Sequence, residues 1–369
     1  MQVAVVKETA PRESRVALTP DSAGRLVKAN RQVVVQSGAG DKAGFPDSVY
    51  TAVGAQIASD IAGAAAGAQV VLKVLPPTAK EVSALPEGCT LVSLLRPGHH
   101  AEIAAVLAER RVNALALELV PRITRAQSMD VLSSQSTVAG YKSVLLGAAA
   151  LGKFLPMLTT AAGNIQPARV FIIGAGVSGL QAIATARRLG GVVSAFDIRP
   201  AAREQILSLG ATALDSEAVS SSAETAGGYA RAQTDDEHTR TVRTIAGHVT
   251  GVDLVITTAN IPGRKAPVLI NEETVASMRP GSVIVDLAAE NGGNCALTRP
   301  DETVVAHNVT ILGPSNLPAT VPYHASQMFG RNVLALLQHL ITKEGALVVD
   351  PADEITGAML VTHDGRILR

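Results

Sequence analysis

A short aliphatic strand in this chain runs directly into a glycine-rich turn and then into a helix. The strand is predicted over 169–173, the turn reads GAGVSG, and apolar residues at helical spacing follow it. Gly174 allows a tight turn, Gly176 allows close approach of the backbone, and Gly179 lets the helix pack on the strand. In this context the GxGxxG pattern predicts a parallel α/β sheet with a dinucleotide-binding turn.

The turn predicts where a dinucleotide would lie, because free amides and the positive end of the helix dipole would face its pyrophosphate. The next predicted strand ends at Asp197, about 20 residues beyond the last glycine, where a carboxylate bonds the adenosine ribose and repels a 2′-phosphate. This acid favours NAD(H), although Arg199 weakens an NAD-only interpretation. The loops 257–260 and 288–291 follow strands and are either cofactor-lining loops or ordinary connections. The predicted cofactor-binding residues of this region are Gly174, Ala175, Gly176, Val177, Ser178, Gly179, Asp197, Ile198, Arg199 and Asn260.

Composition narrows the class of protein. Apolar residues form 47% of the chain and aromatic residues 2%, so aliphatic cores are expected, as in parallel sheets covered by helices. The formal net charge of zero and the scarcity of aromatic residues argue against nucleic acid as a partner. Cys89 and Cys295 are far apart, which predicts neither disulfides nor a metal site and favours a reducing compartment.

No segment of the sequence has the pattern of a targeting or spanning element. The N-terminus has no signal-peptide organisation. The most apolar long stretch, 144–162, is interrupted by Lys153 and Pro156, so it predicts a buried helix instead of a membrane span. The sequence therefore predicts a soluble, cytoplasmic protein, and any membrane role would need a partner subunit.

Aliphatic runs alternate with helical patterns, as expected of βαβ units and parallel sheets. The predicted strands are 2–6, 32–36, 70–74, 91–94 and 114–119 in the N-terminal third, and 169–173, 192–197, 252–257, 282–287 and 309–312 further along. The predicted helices are 21–28, 101–109, 138–159 and 326–341, and 58–66 also fits a helix. A polar segment, 220–239, lies among the later strands and is either a lid, with Tyr229 after two glycines, or a solvated insertion.

Longer motifs identify the family that this chain resembles. They are KETAPRESRVALTP (7–20), PRITRAQSMDVLSSQS (121–136), GAGVSGLQAIATARRLG (174–190), AGGYAR (226–231), ITTANIPGRKAP (256–267) and VIVDLAAENGGN (283–294). The chain resembles, nearly end to end, the NAD(H)-binding subunits of proton-translocating nicotinamide nucleotide transhydrogenases and, more distantly, alanine dehydrogenases. The segment 122–136 is the most specific of these motifs.

The resemblance implies an architecture and a set of partners. It implies two Rossmann-like, doubly wound parallel-sheet domains separated by a cleft, one of 1–134 plus 315–369 and one of 135–314. It also implies a homodimer that binds NAD(H), an NADP(H)-binding beta subunit, and membrane-spanning subunits that translocate protons. The chain would lie on the cytoplasmic face of the cell membrane through these partners. Residues that match the nicotinamide site and a mobile lid are Arg122, Gln127, Asp130, Ser133, Gly228 and Tyr229.

The expected chemistry is direct hydride transfer from NADH to NADP⁺. This reaction needs close approach, orientation and exclusion of water, but no proton transfer at the reacting carbon. The amide, hydroxyl and charged groups of the 122–133 loop can orient a carboxamide and a ribose, and a tyrosine on a glycine-hinged loop can exclude water.

Alanine dehydrogenase is the rival enzyme, because the chain resembles it in several motifs. Alanine dehydrogenases carry a catalytic His and an Asp where this sequence has Arg96 and Glu290, while His99 and His100 stand three and four positions after Arg96. Since reductive amination needs a proton-transfer group, this difference favours transhydrogenase. The substrate-binding Arg and Lys of alanine dehydrogenases are matched by Arg15 and Lys73, but transhydrogenases keep similar residues. A non-catalytic NAD-binding regulator is the third alternative.

Overall fold

Short strands and helices alternate along most of the chain. The computed structural model describes residues 1–98, 100–215, 231, 233–260 and 264–369. The strands, numbered along the chain, are β1 (Gln2–Val5), β2 (Gln32–Gln36), β3 (Gln56–Ala58), β4 (Val70–Leu72), β5 (Thr90–Ser93), β6 (Asn113–Ala116), β7 (Leu158–Thr160), β8 (Gly163–Ile165), β9 (Arg169–Ile173), β10 (Val192–Phe196), β11 (Thr212–Ala213), β12 (Leu254–Thr257), β13 (Val283–Asp286), β14 (Thr303–Ala306), β15 (Val309–Leu312), β16 (Leu360–His363) and β17 (Arg366–Ile367). The helices are α1 (Pro20–Lys28), α2 (Asp47–Ala52), α3 (Ile61–Ala65), α4 (Ala79–Ser83), α5 (Ala101–Glu109), α6 (Val131–Ala150), α7 (Val177–Arg188), α8 (Pro200–Ser208), α9 (Asp235–Val249), α10 (Glu272–Ala276), α11 (Pro322–Leu340) and α12 (Glu354–Met359).

The described backbone divides into two units, and the first comprises residues 1–135 and 318–369. Its sheet has the strand order β17-β16-β6-β5-β4-β1-β2-β3. Strand β16 runs antiparallel to β6 and β17, and the other described pairs are parallel. The chain runs from β1 to one side and resumes at β4 on the other, so the switch point of this sheet lies between β1 and β4.

The second unit, residues 136–317, has the strand order β11-β10-β9-β12-β13-β15-β14. Strand β14 runs antiparallel to β15, and the other described pairs of this seven-stranded sheet are parallel. Its switch point lies between β9 and β12, where an open α/β sheet binds ligands beyond the carboxyl ends of its strands. The predicted α/β class with two parallel, doubly wound sheets is confirmed.

Successive side chains of the central strands feed separate cores, because they point to opposite faces of the sheet. In the first unit, Val3 and Val5 belong to one core and Ala4 to another. In the second, Val170 and Ile172 belong to one core, whereas Phe171 lies in the other. The central strands of both sheets are thus buried on both faces, which explains why they are largely aliphatic.

The apolar helix predicted over 138–159 is placed too far along the chain. Helix α6 begins at Val131, inside the polar segment, because the Asp130 carboxylate accepts a hydrogen bond from the Ser133 amide at 2.8 Å and so caps its first turn. The helix ends at Ala150, and the residues beyond Pro156 form the antiparallel ribbon of β7 and β8. Apolar composition alone did not distinguish this ribbon from a continued helix.

Two other differences have local causes. The 58–66 segment contains the end of β3 and then α3, since Asp60 accepts a hydrogen bond from the Gly63 amide and starts the helix there. The strand predicted over 114–119 ends at Ala116 and continues as a 3₁₀ turn. Strands β14, β16 and β17 were also not predicted. Strands β14 and β17 lie at sheet edges and have exposed residues, which weakens the aliphatic pattern, whereas β16 is a short, largely buried strand between β6 and β17.

Candidate dinucleotide site

The glycine-rich turn joins β9 to α7 at the switch point of the second sheet. Gly174 has a φ of +93°, a conformation that favours glycine, and a Cβ there would lie 2.6 Å from Thr258 Oγ1. The Thr258 hydroxyl donates to the carbonyl oxygen of Gly174 at 3.0 Å, which ties the turn to the end of β12. A Cβ on Gly179 would lie 1.8 Å from the Gly174 carbonyl oxygen, so this glycine permits the helix to start against the strand.

Gly176 differs from its two neighbours in the motif. Its φ is −73°, and an added Cβ meets no described atom within 4 Å. Glycine is therefore not needed here for the fold, and the space beside it is available to a ligand. As the N-cap residue of α7, Gly176 has no side-chain oxygen to accept hydrogen bonds from the first turn, where Val177 and Ser178 lie. Those amides and the helix dipole suit an anion.

Asp197 follows β10 and is joined to the same turn. Its Oδ2 accepts a hydrogen bond from the amide of the buried Ala175 at 2.7 Å. Its carboxylate also forms an ion pair with Arg199, and the Asp197 side chain is only 8% exposed. Ile198, between them, packs against the core that contains Phe196. The structure thus brings the predicted acid to the predicted turn, and it gives that acid an internal cationic partner.

Two loops beyond β12 and β13 lie at the same carboxyl edge. Asn260 is exposed, and its side-chain oxygen accepts a hydrogen bond from Asn291 Nδ2 at 3.1 Å. The Asn294 side chain bonds the amide and the carbonyl oxygen of Ala259 at 3.1 and 2.8 Å. Asn294 was not among the predicted site residues, although it lies in the NGGN sequence that ends one of the motifs.

A buried carboxylate holds these loops in place. Asp286 is fully buried at the end of β13, and its Oδ2 accepts hydrogen bonds from the amides of Asn294 and Cys295 and from the Thr298 hydroxyl at 2.7–2.9 Å. Its Oδ1 accepts from the Thr257 hydroxyl and the Ala288 amide at 2.9 and 3.0 Å. Five donors stabilise one buried charge, so Asp286 fixes the edge of the sheet beside the turn.

Helix α6 also supports the turn. A Cβ on Gly140 would lie 2.1 Å from the carbonyl oxygen of Ser178, so a glycine in the middle of this helix permits contact with the first turn of α7. Gly140 was not predicted as a site residue. A glycine inside an otherwise good helix is a usable signal of close packing.

Residues 122–133 belong to the first unit. Helix α6, which begins at Val131 within this segment, continues into the second unit. Gln127 lies in a 3₁₀ turn, Thr124–Met129, and Arg122 lies two residues before that turn; both side chains are exposed. Asp130 accepts a hydrogen bond from the Ser133 hydroxyl at 2.6 Å in addition to its amide, so these two predicted residues contact each other directly. The Asn332 side chain fixes the turn to α11 by donating to the Ser128 carbonyl oxygen at 2.8 Å.

The switch point of the first sheet carries a buried ion pair. Lys73 Nζ lies 2.9 Å from Glu8 Oε2 and 3.4 Å from Glu81 Oε1, and Lys73 is 2% exposed. Burial raises the pKa of Glu8 more than Lys73 lowers it. Arg15 is likewise buried and paired with Glu13, whose Oε2 lies 2.6 Å from the guanidinium. Arg15 and Lys73, the two residues that match the substrate-binding cations of alanine dehydrogenases, are therefore each paired with a carboxylate of this chain.

Arg96 has an unusual backbone conformation. Its φ is +48°, and the Glu118 carboxylate accepts hydrogen bonds from its amide and from that of Leu95. Burial raises the pKa of Glu118, although these amides lower it. The Arg96 side chain is exposed. His100 precedes α5 and lies 3.4 Å from Glu102.

The remaining predicted residues include some outside the described range of the chain, namely His99, Gly228 and Tyr229. Among the described residues, no helix is long and apolar enough to span a membrane, and no cluster of three His, Cys, Asp or Glu side chains could hold a metal ion.

Burial raises the pKa of the Cys89 thiol to about 12 and also raises that of Cys295, so neither thiol is a reactive nucleophile at neutral pH.

Comparison with known proteins places this geometry in a family. The Alanine dehydrogenase/PNT N-terminal domain model matches residues 4–139, and the C-terminal domain model matches residues 143–369. The chain is 46% identical to an NAD(P) transhydrogenase subunit alpha polypeptide of Rhodospirillum rubrum over 100% of this chain and 98% of that protein. It is 41% identical to NAD(P) transhydrogenase subunit alpha of Cereibacter sphaeroides, over 100% of this chain and 71% of that protein. Alanine dehydrogenase of Bacillus subtilis is 30% identical over 100% of this chain and 92% of that protein.

Solved structures agree with the sequence comparison. A transhydrogenase from Sinorhizobium meliloti superimposes with a TM-score of 0.88 and 38% identity, covering 100% of this chain and 99% of that one. An L-alanine dehydrogenase superimposes with a TM-score of 0.83 and 28% identity, covering 100% and 97%. Both family models, the full-length relatives and the dinucleotide turn lead to one conclusion: this chain belongs to the alanine dehydrogenase/PNT family of oxidoreductases.

Proposed function

We propose that this chain is the NAD(H)-binding subunit of a proton-translocating NAD(P)⁺ transhydrogenase. The observation that carries the proposal is the turn at Gly176, which is open to a ligand and is joined through Ala175 to an acid at the end of the next strand. The end-to-end likeness to NAD(P) transhydrogenase alpha subunits supports this assignment over other NAD(H) enzymes. In this proposal residues 135–314 form the NAD(H)-binding domain, and residues 1–134 with 315–369 form the other.

The residues of the second unit would bind and position the cofactor. The first-turn amides of α7, at Val177 and Ser178, would hold the pyrophosphate, and Asp197 would bond the adenosine ribose. Ile198, Arg199, Gly228 and Asn260 would line the same site. When bound, NADH supplies a hydride from C4 of its nicotinamide, which becomes bonded to C4 of the acceptor as NADH is oxidised and NADP⁺ is reduced.

The 122–133 loop would orient the nicotinamide end. Gln127 and Arg122 offer exposed hydrogen-bond donors for a carboxamide, and the Asp130–Ser133 pair offers a carboxylate and a hydroxyl for the ribose. Tyr229 would exclude water as a component of the lid. These roles require positioning alone, because hydride transfer moves no proton at the reacting carbon.

The partners follow from the proposed reaction. An NADP(H)-binding beta subunit would present the acceptor, and separate membrane-spanning subunits would couple the reaction to proton translocation, with this chain on the cytoplasmic face. The proposal includes a homodimer. Three large apolar side chains near the ribbon of β7 and β8 have more than a third of their surface exposed, namely Phe154, Met157 and Ile165, and contact with a second copy would cover such side chains favourably. Light scattering would measure the oligomeric state.

Alanine dehydrogenase is the second candidate, since Arg15 and Lys73 match its substrate-binding residues. Both are paired with carboxylates of this chain, so an incoming amino acid or oxo acid would have to compete with Glu13 and Glu8. Arg96 also replaces the catalytic His and cannot transfer a proton near neutral pH. These observations favour the transhydrogenase.

Hydride transfer with a labelled cofactor separates the alternatives. The purified chain should bind NADH, measured by fluorescence, and should show neither alanine-dependent NAD⁺ reduction nor pyruvate-dependent NADH oxidation. After addition of the NADP(H)-binding partner, NADH that carries deuterium at the transferred position should deliver the label to NADPH without loss to water. Alanine-dependent turnover would establish the dehydrogenase instead, and NADH binding without any transfer would leave a regulator.

A further inference from the structure

Asp197 and Arg199 form a closed pair at the place where a ribose would bind. The Arg199 guanidinium grips the carboxylate with two bonds, Nε to Oδ1 and Nη2 to Oδ2, both 2.9 Å long. The Arg199 and Asp197 side chains are 15% and 8% exposed, so water does not readily replace the bonds between them. A bidentate pair of this kind is among the stronger hydrogen-bonded contacts in proteins.

All the acceptor positions of this carboxylate are in use. A carboxylate has about four lone-pair positions. Oδ1 accepts from the Arg199 amide and from its Nε, and Oδ2 accepts from the Ala175 amide and from Arg199 Nη2. The two amide bonds belong to the backbone of the turn and of the start of α8. The two guanidinium bonds can be released by rotation of one side chain.

We propose that Arg199 is a specificity-determining residue that competes with the adenosine ribose for Asp197. Ribose hydroxyls can donate to Asp197 only after the guanidinium leaves, so Arg199 lowers the affinity for NAD(H). The displaced guanidinium stays beside the 2′ position, because its backbone is pinned by the bond from its amide to Asp197. There it offsets the repulsion that Asp197 alone would exert on a 2′-phosphate. Arg199 therefore reduces the ratio of the affinity for NAD(H) to the affinity for NADP(H).

This inference rests on the proposed function, since it assumes that the ribose reaches Asp197. It differs from a purely structural role for the pair. If Arg199 only stabilised the loop, its removal would weaken every ligand that uses the turn. If Arg199 competes with the ribose, its removal should raise the affinity for ligands with a free 2′-hydroxyl and lower the affinity for ligands with a 2′-phosphate.

The test is calorimetric titration of ADP-ribose and 2′-phospho-ADP-ribose, which need no hydride transfer. Arg199→Met keeps the length of the side chain and removes its donors. We expect ADP-ribose to bind about tenfold more tightly and 2′-phospho-ADP-ribose about tenfold more weakly than to the unsubstituted chain, each change being about the size of one charge-assisted hydrogen bond. Arg199→Lys keeps the charge without the fork and should tighten ADP-ribose binding while preserving the binding of the phosphorylated ligand.

Arg203→Met is the matched control. Arg203 lies on α8, which begins directly after Arg199, and pairs with Asp215 at an exposed position, so its loss should leave both affinities unchanged. Weaker or unchanged binding of ADP-ribose by both Arg199 variants would overturn the competition. If the unsubstituted chain bound neither ADP-ribose nor NADH, the proposed function itself would fail. Melting temperatures of the unliganded variants separate these outcomes from misfolding.

Discussion

Gly176→Val is the substitution that best separates cofactor binding from folding. Gly176 has a φ of −73°, which any residue adopts, and no described atom lies within 4 Å of an added Cβ. We therefore expect the free energy of unfolding to fall by no more than about 1 kcal/mol, the cost of valine at a helix N-cap. The added methyl groups would instead occupy the space that the pyrophosphate needs.

The loss of binding can be estimated from the bonds that a displaced pyrophosphate would lose. The first-turn amides of α7 donate to an anion, and each such bond contributes about 1.5 kcal/mol or more. Losing two of them costs about 3 kcal/mol, which weakens NADH binding by roughly 100-fold or more.

Gly179→Ala is the contrasting variant in the same motif. Its Cβ would lie 1.8 Å from the carbonyl oxygen of Gly174, whereas real side chains keep at least 3.0 Å from such an atom. The turn must open by about 1 Å, and overpacking of this kind costs about 1–3 kcal/mol. Gly179→Ala should therefore lose stability and binding together.

The assay is urea unfolding followed by circular dichroism, together with fluorescence titration of NADH on the same samples. We expect the Gly176 variant to unfold close to the urea concentration of the unsubstituted chain but to bind NADH roughly 100-fold more weakly or worse. NADH affinity within about threefold of the original, in a folded Gly176→Val chain, would show that the pyrophosphate does not lie against this residue.

Three further substitutions test other regions of the structure. Lys73→Met should lower the free energy of unfolding by about 3 kcal/mol, because Glu8 is left buried without its cation. Adding Glu8→Gln should recover most of that loss in urea unfolding, and an unchanged urea midpoint for Lys73→Met would contradict the reasoning. Asp286→Asn places an amide group against hydrogen-bond donors and should lower the free energy of unfolding by about 2–4 kcal/mol. It should also speed hydrogen exchange in the 258–260 loop, and unaltered exchange there would mean that the loop does not depend on Asp286. Burial raises the pKa of Asp353, but hydrogen bonds from an amide of α12 and from His339 outweigh this effect and lower its pKa to about 2. Its charge therefore stabilises the fold above about pH 4 and ceases to do so as the pH falls through 2. Asp353→Asn keeps the helix cap and should lower the melting temperature by a few degrees at pH 6 but not at pH 2, and equal effects at both pH values would refute the assignment.

The sequence predicted the features that depend on local order. The strand, the glycine spacing and the following helix fix the turn at Gly174, because each of those constraints acts within a few residues. Asp197 was found from its distance along the chain, since one βα unit has a typical length. The aliphatic strands were recognisable for the same reason, because both faces of each central strand are buried.

The features that sequence reasoning missed depend on contacts between distant segments. Asp286 and Asn294 look like ordinary loop residues until the fold brings their partners around them. Thr258 supports the glycine turn from 84 residues away. The grip of Arg199 on Asp197 is local, but its geometry depends on how α8 begins, and spacing alone indicated only a nearby positive charge.

The two sheets show why the fold does not by itself make a binding site. Both have the doubly wound order with a switch point, the place where such sheets bind ligands. In the first sheet that place is occupied by the buried pair of Lys73 and Glu8, which a ligand would have to separate at a cost of several kcal/mol. In the second sheet it is lined by Gly176, where the backbone is open and helix amides point outward. The difference lies in a few residues at the strand ends, so function should follow those residues wherever the shared fold is retained.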